Sequence, residues 1–329
     1  MKESNMAHAI RIHATGGPEV LKWEEVEVGE PGEGEVRLRQ SAVGLNFIDV
    51  YFRTGSYPSP GLPFIPGMEA VGVIEAIGPG VEGLSVGERV AYGRNMGAYA
   101  EQRLIRAEAL IKVPENLEDI QVASVMLQGM TTEYLLQRTY PVQAGDTILF
   151  HAASGGVGLL ACQWASALGA TVIGTVGSEA KAALAKAHGC AHTILYTDED
   201  FVARVMQITG GKGVPVVYDS VGRDTFMKSL DCLQPRGMLV SFGQSSGKVE
   251  PFDPGILSAK GSLYLTRPTL MTYTASREDL VTSANAVFAM LATGAVKVNV
   301  NQTFALAQAA DAHRALEARQ TTGSTVLLA

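Results

Sequence analysis

Asp146-Thr-Ile-Leu-Phe-His-Ala-Ala-Ser-Gly-Gly-Val-Gly-Leu-Leu-Ala-Cys-Gln-Trp-Ala-Ser-Ala-Leu168 is the stretch that decides the fold of this chain. Thr147 to Phe150 is a short apolar run of the kind that becomes a buried parallel strand. The small residues Ala152 to Gly158 follow as a turn. From Val157 the apolar positions Leu160, Ala161, Trp164 and Leu168 recur at three- and four-residue steps, and Gly169 is placed to end the helix. Strand, glycine turn and helix form the phosphate-binding corner of a dinucleotide fold. A pyrophosphate needs backbone N–H groups and the positive end of a helix at close range, and side chains would block that approach. The glycine spacing is met as Ala153-x-Gly155-x-x-Gly158, with an additional Gly156.

Outward from the corner, the run from Ala170 to Val176 supplies the second strand of a βαβ unit. Chains that bind NAD place an Asp or Glu about 20 residues past the turn, to accept from the ribose 2′-hydroxyl. Here Gly174-Thr-Val-Gly-Ser178 has no carboxylate before Glu179, and Lys181 lies one turn into the next helix. Small polar groups with a nearby cation suit a 2′-phosphate, so the sequence points to NADPH over NADH.

The 329 residues are enough for two domains with full cores. A hydrophobic content of 47% with 18% charged residues describes a compact globule. A net charge of −7 argues against a nucleic-acid or anionic-membrane footprint, which needs a basic face. Cys162, Cys190 and Cys232 are scattered singly, so neither a disulfide framework nor a structural zinc site is suggested. The first ten residues lack the apolar core of a signal peptide, and no apolar run reaches eighteen, so a cytoplasmic location is expected.

Residues before about 125 read as short strands separated by glycine and proline turns, which suggests a small, curved or barrel-like sheet. Leu117 to Arg138 reads as one helix. After the glycine corner, strands are expected at Val214–Asp219, Met238–Phe242 and Ser262–Leu265, alternating with helices at Glu179–His188, Glu199–Thr209 and Arg223–Cys232. Such alternation marks a doubly wound parallel sheet. A strand at Ser324–Leu328 can complete the first, β-rich part only if the chain crosses back.

Three segments then carry a resemblance: Gly44-Leu-Asn-Phe-Ile-Asp49, Pro66-Gly-Met-Glu-Ala-Val-Gly-Val73 and Gly87-Glu-Arg-Val90. They resemble the medium-chain dehydrogenase/reductase superfamily. Phe150 to Gly158, Tyr218-Asp-Ser-Val-Gly222, Ser241-Phe-Gly-Gln-Ser-Ser-Gly247 and Thr266-Arg-Pro268 are similar to its zinc-free quinone oxidoreductase (zeta-crystallin-like) family. The resemblance implies an α/β chain of two parts: a GroES-like β-rich catalytic domain from residues 1–128 and 265–329, and a Rossmann doubly wound domain from residues 129–264. It places the active site in the cleft between them. Where the superfamily's zinc enzymes carry Gly-His-Glu, this chain has Gly67-Met68-Glu69, and no cysteine precedes Cys162. A thioether in place of imidazole leaves no zinc donor set, so no metal is expected.

The resemblance further implies NADPH as cofactor and a quinone as hydride acceptor, with a 2-alkenal or enone as the alternative acceptor. Asn46 and Tyr51 take the catalytic positions beside the nicotinamide, with Thr131 and Tyr134 from the start of the nucleotide domain. Ala153, Gly155, Gly156, Val157 and Gly158 face the pyrophosphate. Gly177, Lys181, Tyr196 and Arg319 surround the adenosine ribose and its 2′-phosphate. Ser220, Phe242, Gly243, Ser245 and Arg267 line the rest of the groove. Family resemblance also implies a homodimer formed by edge pairing around Ser262–Leu265. A structural or RNA-binding role, known for relatives of this type, finds no basic aromatic platform in the sequence.

Overall fold

The computed structural model describes residues 5–329. Its contacts divide the chain into two compact units. The first holds the residues up to Met130 together with Ser276–Phe288 and Val298–Ala329, and the second holds Thr131–Ala275 and Ala289–Lys297.

The second unit is a six-stranded parallel sheet. In spatial order its strands are Cys190–Leu195, Thr171–Val176, Thr147–Phe150, Val214–Asp219, Leu233–Ser241 and Tyr264–Thr266. Strand order reverses between Thr147–Phe150 and its neighbour Val214–Asp219, which is where a doubly wound sheet opens a crevice at the carboxyl ends of its strands. Ile148, Leu149, Val172, Ile173, Val216 and Val217 are all fully buried, as expected for strands covered on both faces.

In the first unit, Glu35–Leu45 is the central strand. Its first half pairs with Gln102–Arg106 and its second half with Ser324–Leu328, while Glu69–Ile77 runs along its other edge. Two register shifts against Glu69–Ile77, at Arg37/Leu38 and Gln40/Ala42, bend the strand enough for this double pairing. The C-terminal strand therefore does cross back, with Thr325 opposite Leu45 and Leu328 opposite Ala42. Arg89–Tyr92, Ile111–Lys112 and Val300–Ala305 complete a seven-stranded sheet. A separate hairpin, Met6–Ile12 with Leu21–Glu27, closes over the same core through Ile10, Ile12 and Leu21.

Several elements differ from the sequence reading. The single helix expected over 117–138 is three pieces: Asp119–Ala123, Met126–Glu133 and a π-helical turn at Tyr134–Thr139. The segment 122–136 is buried almost without interruption, so no single apolar face marks where one piece ends and the next begins. The expected helix Arg223–Cys232 shrinks to Phe226–Leu230, since Gly222 and Asp219 hold the preceding residues in a turn. The nucleotide unit begins at Thr131 and keeps the segment 267–275, so Arg267 lies in it. The helix Arg277–Ala292 is divided between the units at 288/289.

Candidate functional site

The glycine corner is built by close approach. Gly155 is the N-cap of the helix Gly156–Ala167, and neither a capping side chain nor an acidic residue stands in its first turn. The left-handed position is Ala152, with φ of 54°, while Gly155 has ordinary extended angles. Glycine is needed for space: a Cβ on Gly158 would stand 2.3 Å from the Ala152 carbonyl oxygen and 2.7 Å from the Ala153 carbonyl carbon. Ala153 is fixed by its N–H to the Thr175 carbonyl at 3.1 Å. Gly174 was not singled out in the sequence, yet a Cβ there would lie 2.5 Å from the Ala153 Cβ and 2.7 Å from the Cys190 sulfur. An uncapped helix start without acids, reached by bare backbone, fits a pyrophosphate.

At the end of Thr171–Val176, Gly177 leads into Ser178, whose hydroxyl accepts the Lys181 N–H at 3.3 Å. A Cβ on Gly177 would meet the Tyr196 hydroxyl at 2.7 Å, so this ring tip rests against the glycine. Gly177 and Tyr196 thus touch, and Lys181 is tied to the same turn through its backbone. Arg319 is exposed, in a left-handed conformation, and belongs to the other unit.

The remaining groove residues also gather. Gly243 lies so near Ser220 that a Cβ would stand 2.6 Å from its carbonyl oxygen. Ser245 N–H donates to that carbonyl at 3.1 Å, and the Arg267 guanidinium donates to the Ser241 and Gly243 carbonyls at 2.9 and 3.0 Å. Phe242 packs on Phe150 with ring centres 5.7 Å apart. In the same unit, Thr131 is buried and Tyr134 stacks on Tyr273 at 4.6 Å.

Behind the corner lies a buried cluster that patterns in the sequence did not reveal. His151 bridges Thr175 Oγ1 and Ser229 Oγ, both at 2.9 Å. Ser229 donates to Asp219, whose other oxygen accepts from the N–H groups of Val221 and Gly222. His151, Ser229 and Asp219 have no solvent exposure, so this is a brace for three strand ends and not a nucleophile. Burial lowers the His151 pKa, which keeps the ring neutral.

In the first unit, Asn46 caps the short helix Phe47–Arg53. Its Nδ2 donates to Glu69 Oε1 at 2.6 Å, its Oδ1 accepts from Gln128 Nε2 at 3.1 Å, and its backbone N–H donates to Asp49 Oδ2 at 2.9 Å. One turn on, Tyr51 is 9% exposed and packs between Phe47, at 5.7 Å, and Tyr57, at 5.0 Å. Tyr57 sits in the proline- and glycine-rich loop that the sequence left unassigned. Asp49 and Glu69 are wholly buried, and loss of water lifts their pKa values to about 7 and about 8. Met68 is buried beside Glu69, and among the described residues no three His, Cys, Asp or Glu side chains come together as a metal site.

Comparison with known proteins agrees with both halves. The family model described as the alcohol dehydrogenase GroES-like domain matches residues 32–115, and the zinc-binding dehydrogenase model matches residues 156–287. The chain is 53% identical to a Pseudomonas aeruginosa protein named quinone oxidoreductase, covering 98% of this chain and all of that one. It is 48% identical to a 2-haloacrylate reductase from a Burkholderia species, covering 98% and 99% of the two chains. A crystal structure of Escherichia coli quinone oxidoreductase complexed with NADPH superimposes with a TM-score of 0.97 at 48% identity, over 98% of this chain and all of that one. A β-rich unit with a buried Asn46 cap, a parallel sheet with a bare glycine corner and this end-to-end correspondence together place the chain in the quinone oxidoreductase family of the medium-chain dehydrogenases/reductases.

Proposed function

We propose that this chain is an NADPH-dependent quinone oxidoreductase that works without a metal. The observation that carries the reading is the correspondence, over almost the entire chain, to proteins of that name. The E. coli relative's complex with NADPH supports the cofactor, as does the absence of an acid between Thr171 and Ser178, where NAD-binding chains place one.

Bound NADPH supplies a hydride from its nicotinamide ring. The protein's task is then largely positioning. Gly156, Val157 and Gly158 offer backbone donors to the pyrophosphate, and Ala153 and Gly155, whose own N–H donates to the Ala152 carbonyl, let it approach. Gly177, Lys181, Tyr196 and Arg319 take the 2′-phosphate end. Ser220, Phe242, Gly243, Ser245 and Arg267 line the middle of the groove. Thr131, Tyr134 and Asn46 are assigned to the nicotinamide, and Tyr51 to the quinone, against which its ring can pack. A quinone suits such a site, because two-electron reduction makes the ring aromatic and needs no Lewis acid to polarise the carbonyl.

A second reading is reduction of an activated alkene, favoured by the 2-haloacrylate reductase relative. Turnover of NADPH with a naphthoquinone, an α,β-unsaturated ketone and a 2-haloacrylate, side by side, separates the two. Quinone turnover well above the others supports the first reading, and the reverse order replaces it with the second.

The protein is further read as a cytoplasmic homodimer. No helix among the described residues is long and apolar enough to cross a membrane. The strand Tyr264–Thr266 is the outer edge of its sheet, with Tyr264 59% and Leu265 36% exposed, and pairing with a second copy would cover it. Size-exclusion at dilute concentration tests this.

A further inference from the structure

Asn46 is held between two buried carboxyls, and one of them lies at the end of a hydrogen-bond chain that can run in either direction. Glu69 Oε2 accepts the Leu127 backbone N–H at 2.6 Å, and that donor cannot turn round. Glu69 Oε1 faces Asn46 Nδ2, Asn46 Oδ1 faces Gln128 Nε2, and Gln128 Oε1 faces the Ser324 hydroxyl at 2.8 Å. The same hydroxyl lies 3.1 Å from the Ser124 carbonyl. With Glu69 ionised, the donors run from Ser324 through Gln128 and Asn46 to the carboxylate. With a proton on Glu69 Oε1, the chain reverses: the acid donates to Asn46 Oδ1, Asn46 to Gln128, Gln128 to Ser324, and Ser324 to Ser124. Each contact is kept, and only the two amides turn over.

We propose that Glu69 is a positioning residue for hydride transfer, its proton deciding which way round the Asn46 amide is held. The inference rests on the assignment of Asn46 to the nicotinamide made above. The carboxyl fills the space beside Gly44, where a Cβ would lie 2.2 Å from Glu69 Oε1 and 2.3 Å from the Ala123 carbonyl oxygen. Only a glycine leaves it room.

Both carboxyls are lifted by burial, and Glu69, at about 8, keeps its proton to higher pH than Asp49, at about 7. Arg53 can only donate, so its contact at 3.1 Å makes His313 Nδ1 an acceptor and leaves the hydrogen on Nε2. His313 Nε2 then donates to the Tyr99 hydroxyl at 3.0 Å, and Tyr99 donates to Asp49 Oδ2 at 3.1 Å. The Tyr99 hydroxyl and the Asn46 N–H favour an ionised Asp49 against its burial, while the Arg53 charge at the far end is closed on Glu317 at 2.8 Å. A charge on Asp49 in turn disfavours a second one on Glu69, whose pKa rises to about 8 through burial first and Asp49 last. The other groups facing Glu69 are Tyr92, whose hydroxyl is 3.1 Å from Arg103 Nη1, and Tyr99. At the rim of the same strands, Arg89 and Asp119 are closed on each other at 2.6 Å.

The protonated arrangement is the working one. It removes a negative charge from beside the place where electrons pass to the acceptor, and donation into Oδ1 polarises the Asn46 amide that is assigned to the nicotinamide.

The test compares wild type with Glu69→Gln. The glutamine must accept from Leu127 with its oxygen, so it presents N–H to Asn46 and fixes the protonated arrangement at every pH. Wild-type kcat with naphthoquinone is expected to fall at least tenfold between pH 7 and pH 9.5, with KM for NADPH little changed. Glu69→Gln is expected to keep kcat within about twofold of the pH 7 value across that range. In the protein without nucleotide, infrared spectra should show protonated-carboxyl absorption from Asp49 and Glu69 that disappears as pH rises, and the component that titrates last, near pH 8, should be missing from Glu69→Gln and present in Asp49→Asn. A variant that keeps the wild-type decline, or a folded variant that loses more than tenfold at pH 7, overturns the proposal. If the variant does not fold, the spectra of Asp49→Asn decide, and the absence of a remaining titrating carboxyl band overturns it. A wild type that turns over no quinone at any pH refutes the proposed function instead, and the spectra still judge Glu69.

Discussion

The glycine corner and the Asn46 cap, the two places proposed to meet the cofactor, are made of opposite materials. The corner is backbone. Its side chains are trimmed to almost nothing because N–H groups must reach an anion, and Gly158 and Gly174 are glycines because neighbouring atoms already occupy the place of a Cβ. The Asn46 cap is side chain. Its amide, two carboxyls and Gln128 are buried together, and each orientation follows from what the next group donates. A backbone site tolerates pH and fails on added atoms. A buried polar site tolerates little change in charge, because each group depends on its neighbour for compensation.

The sharpest way to break this comparison is to add a single methyl group at the corner. Gly158→Ala sets a Cβ 2.3 Å from the Ala152 carbonyl, a backbone atom that cannot swing aside. NADPH affinity, followed by fluorescence titration, should fall about a hundredfold, with a stability loss of about 1–3 kcal/mol. Unchanged affinity would mean the corner does not depend on close approach.

Next in size is the pH dependence of stability. Asp49 and Glu69 hold protons in the folded state up to about pH 7 and about pH 8, far above their unfolded values of 3.8 and 4.5. The native protein therefore binds more protons in this window, and its stability falls as pH rises through it. His313 acts in the opposite sense, since burial lowers it to about 3, so its contribution is present above 6.5 and lost as pH falls toward 3. Between pH 6.5 and 8.5 the carboxyls outweigh the opposite contribution of the lowered His313 and His151, and urea titrations should show a loss on the order of 2 kcal/mol. Asp49→Asn and Glu69→Gln should each flatten that slope. A slope that neither changes would show that these carboxyls are not the source.

Smaller still is the effect expected at the 2′-phosphate end. Lys181→Ala combined with Arg319→Ala should raise KM for NADPH about tenfold and leave KM for NADH nearly unchanged, as steady-state kinetics with both nucleotides would show. Equal changes would detach these cations from the phosphate. Last, Tyr51→Ala should raise KM for the quinone a few-fold by removing a stacking surface, with the NADPH value held. Unaltered quinone kinetics would move the substrate away from the Phe47–Tyr51–Tyr57 cluster.

The same contrast explains what could be read in advance. Thr147–Phe150, the turn and the helix after it were visible as apolar run, small residues and helical spacing, and the alternation that follows gave the parallel sheet. The strand Ser324–Leu328 was visible as a strand, but its place opposite Ala42–Leu45 depends on the two register shifts that bend the central strand. The breaks within 117–138 were hidden, because residues 122–136 are buried on nearly every side and leave no exposed stripe to show a change of helix. Gly44 and Gly174 looked like ordinary strand residues until the Glu69 carboxyl and the Ala153 methyl were seen lying against them. Tyr99 and His313 are 214 positions apart, and nothing in either neighbourhood announces the other.

By itself, the sequence determined the nucleotide corner, the parallel sheet behind it and the lack of an acid at the ribose end. These follow from local demands: a tight turn, a bare helix start and a buried strand each require particular residues at short spacing. Tertiary structure alone decided that Asp49, Glu69 and His313 lie out of water and touch the groups they do. Charge, proton position and amide orientation depend on what surrounds a side chain in space, and those surroundings come from strands and helices far apart in the chain.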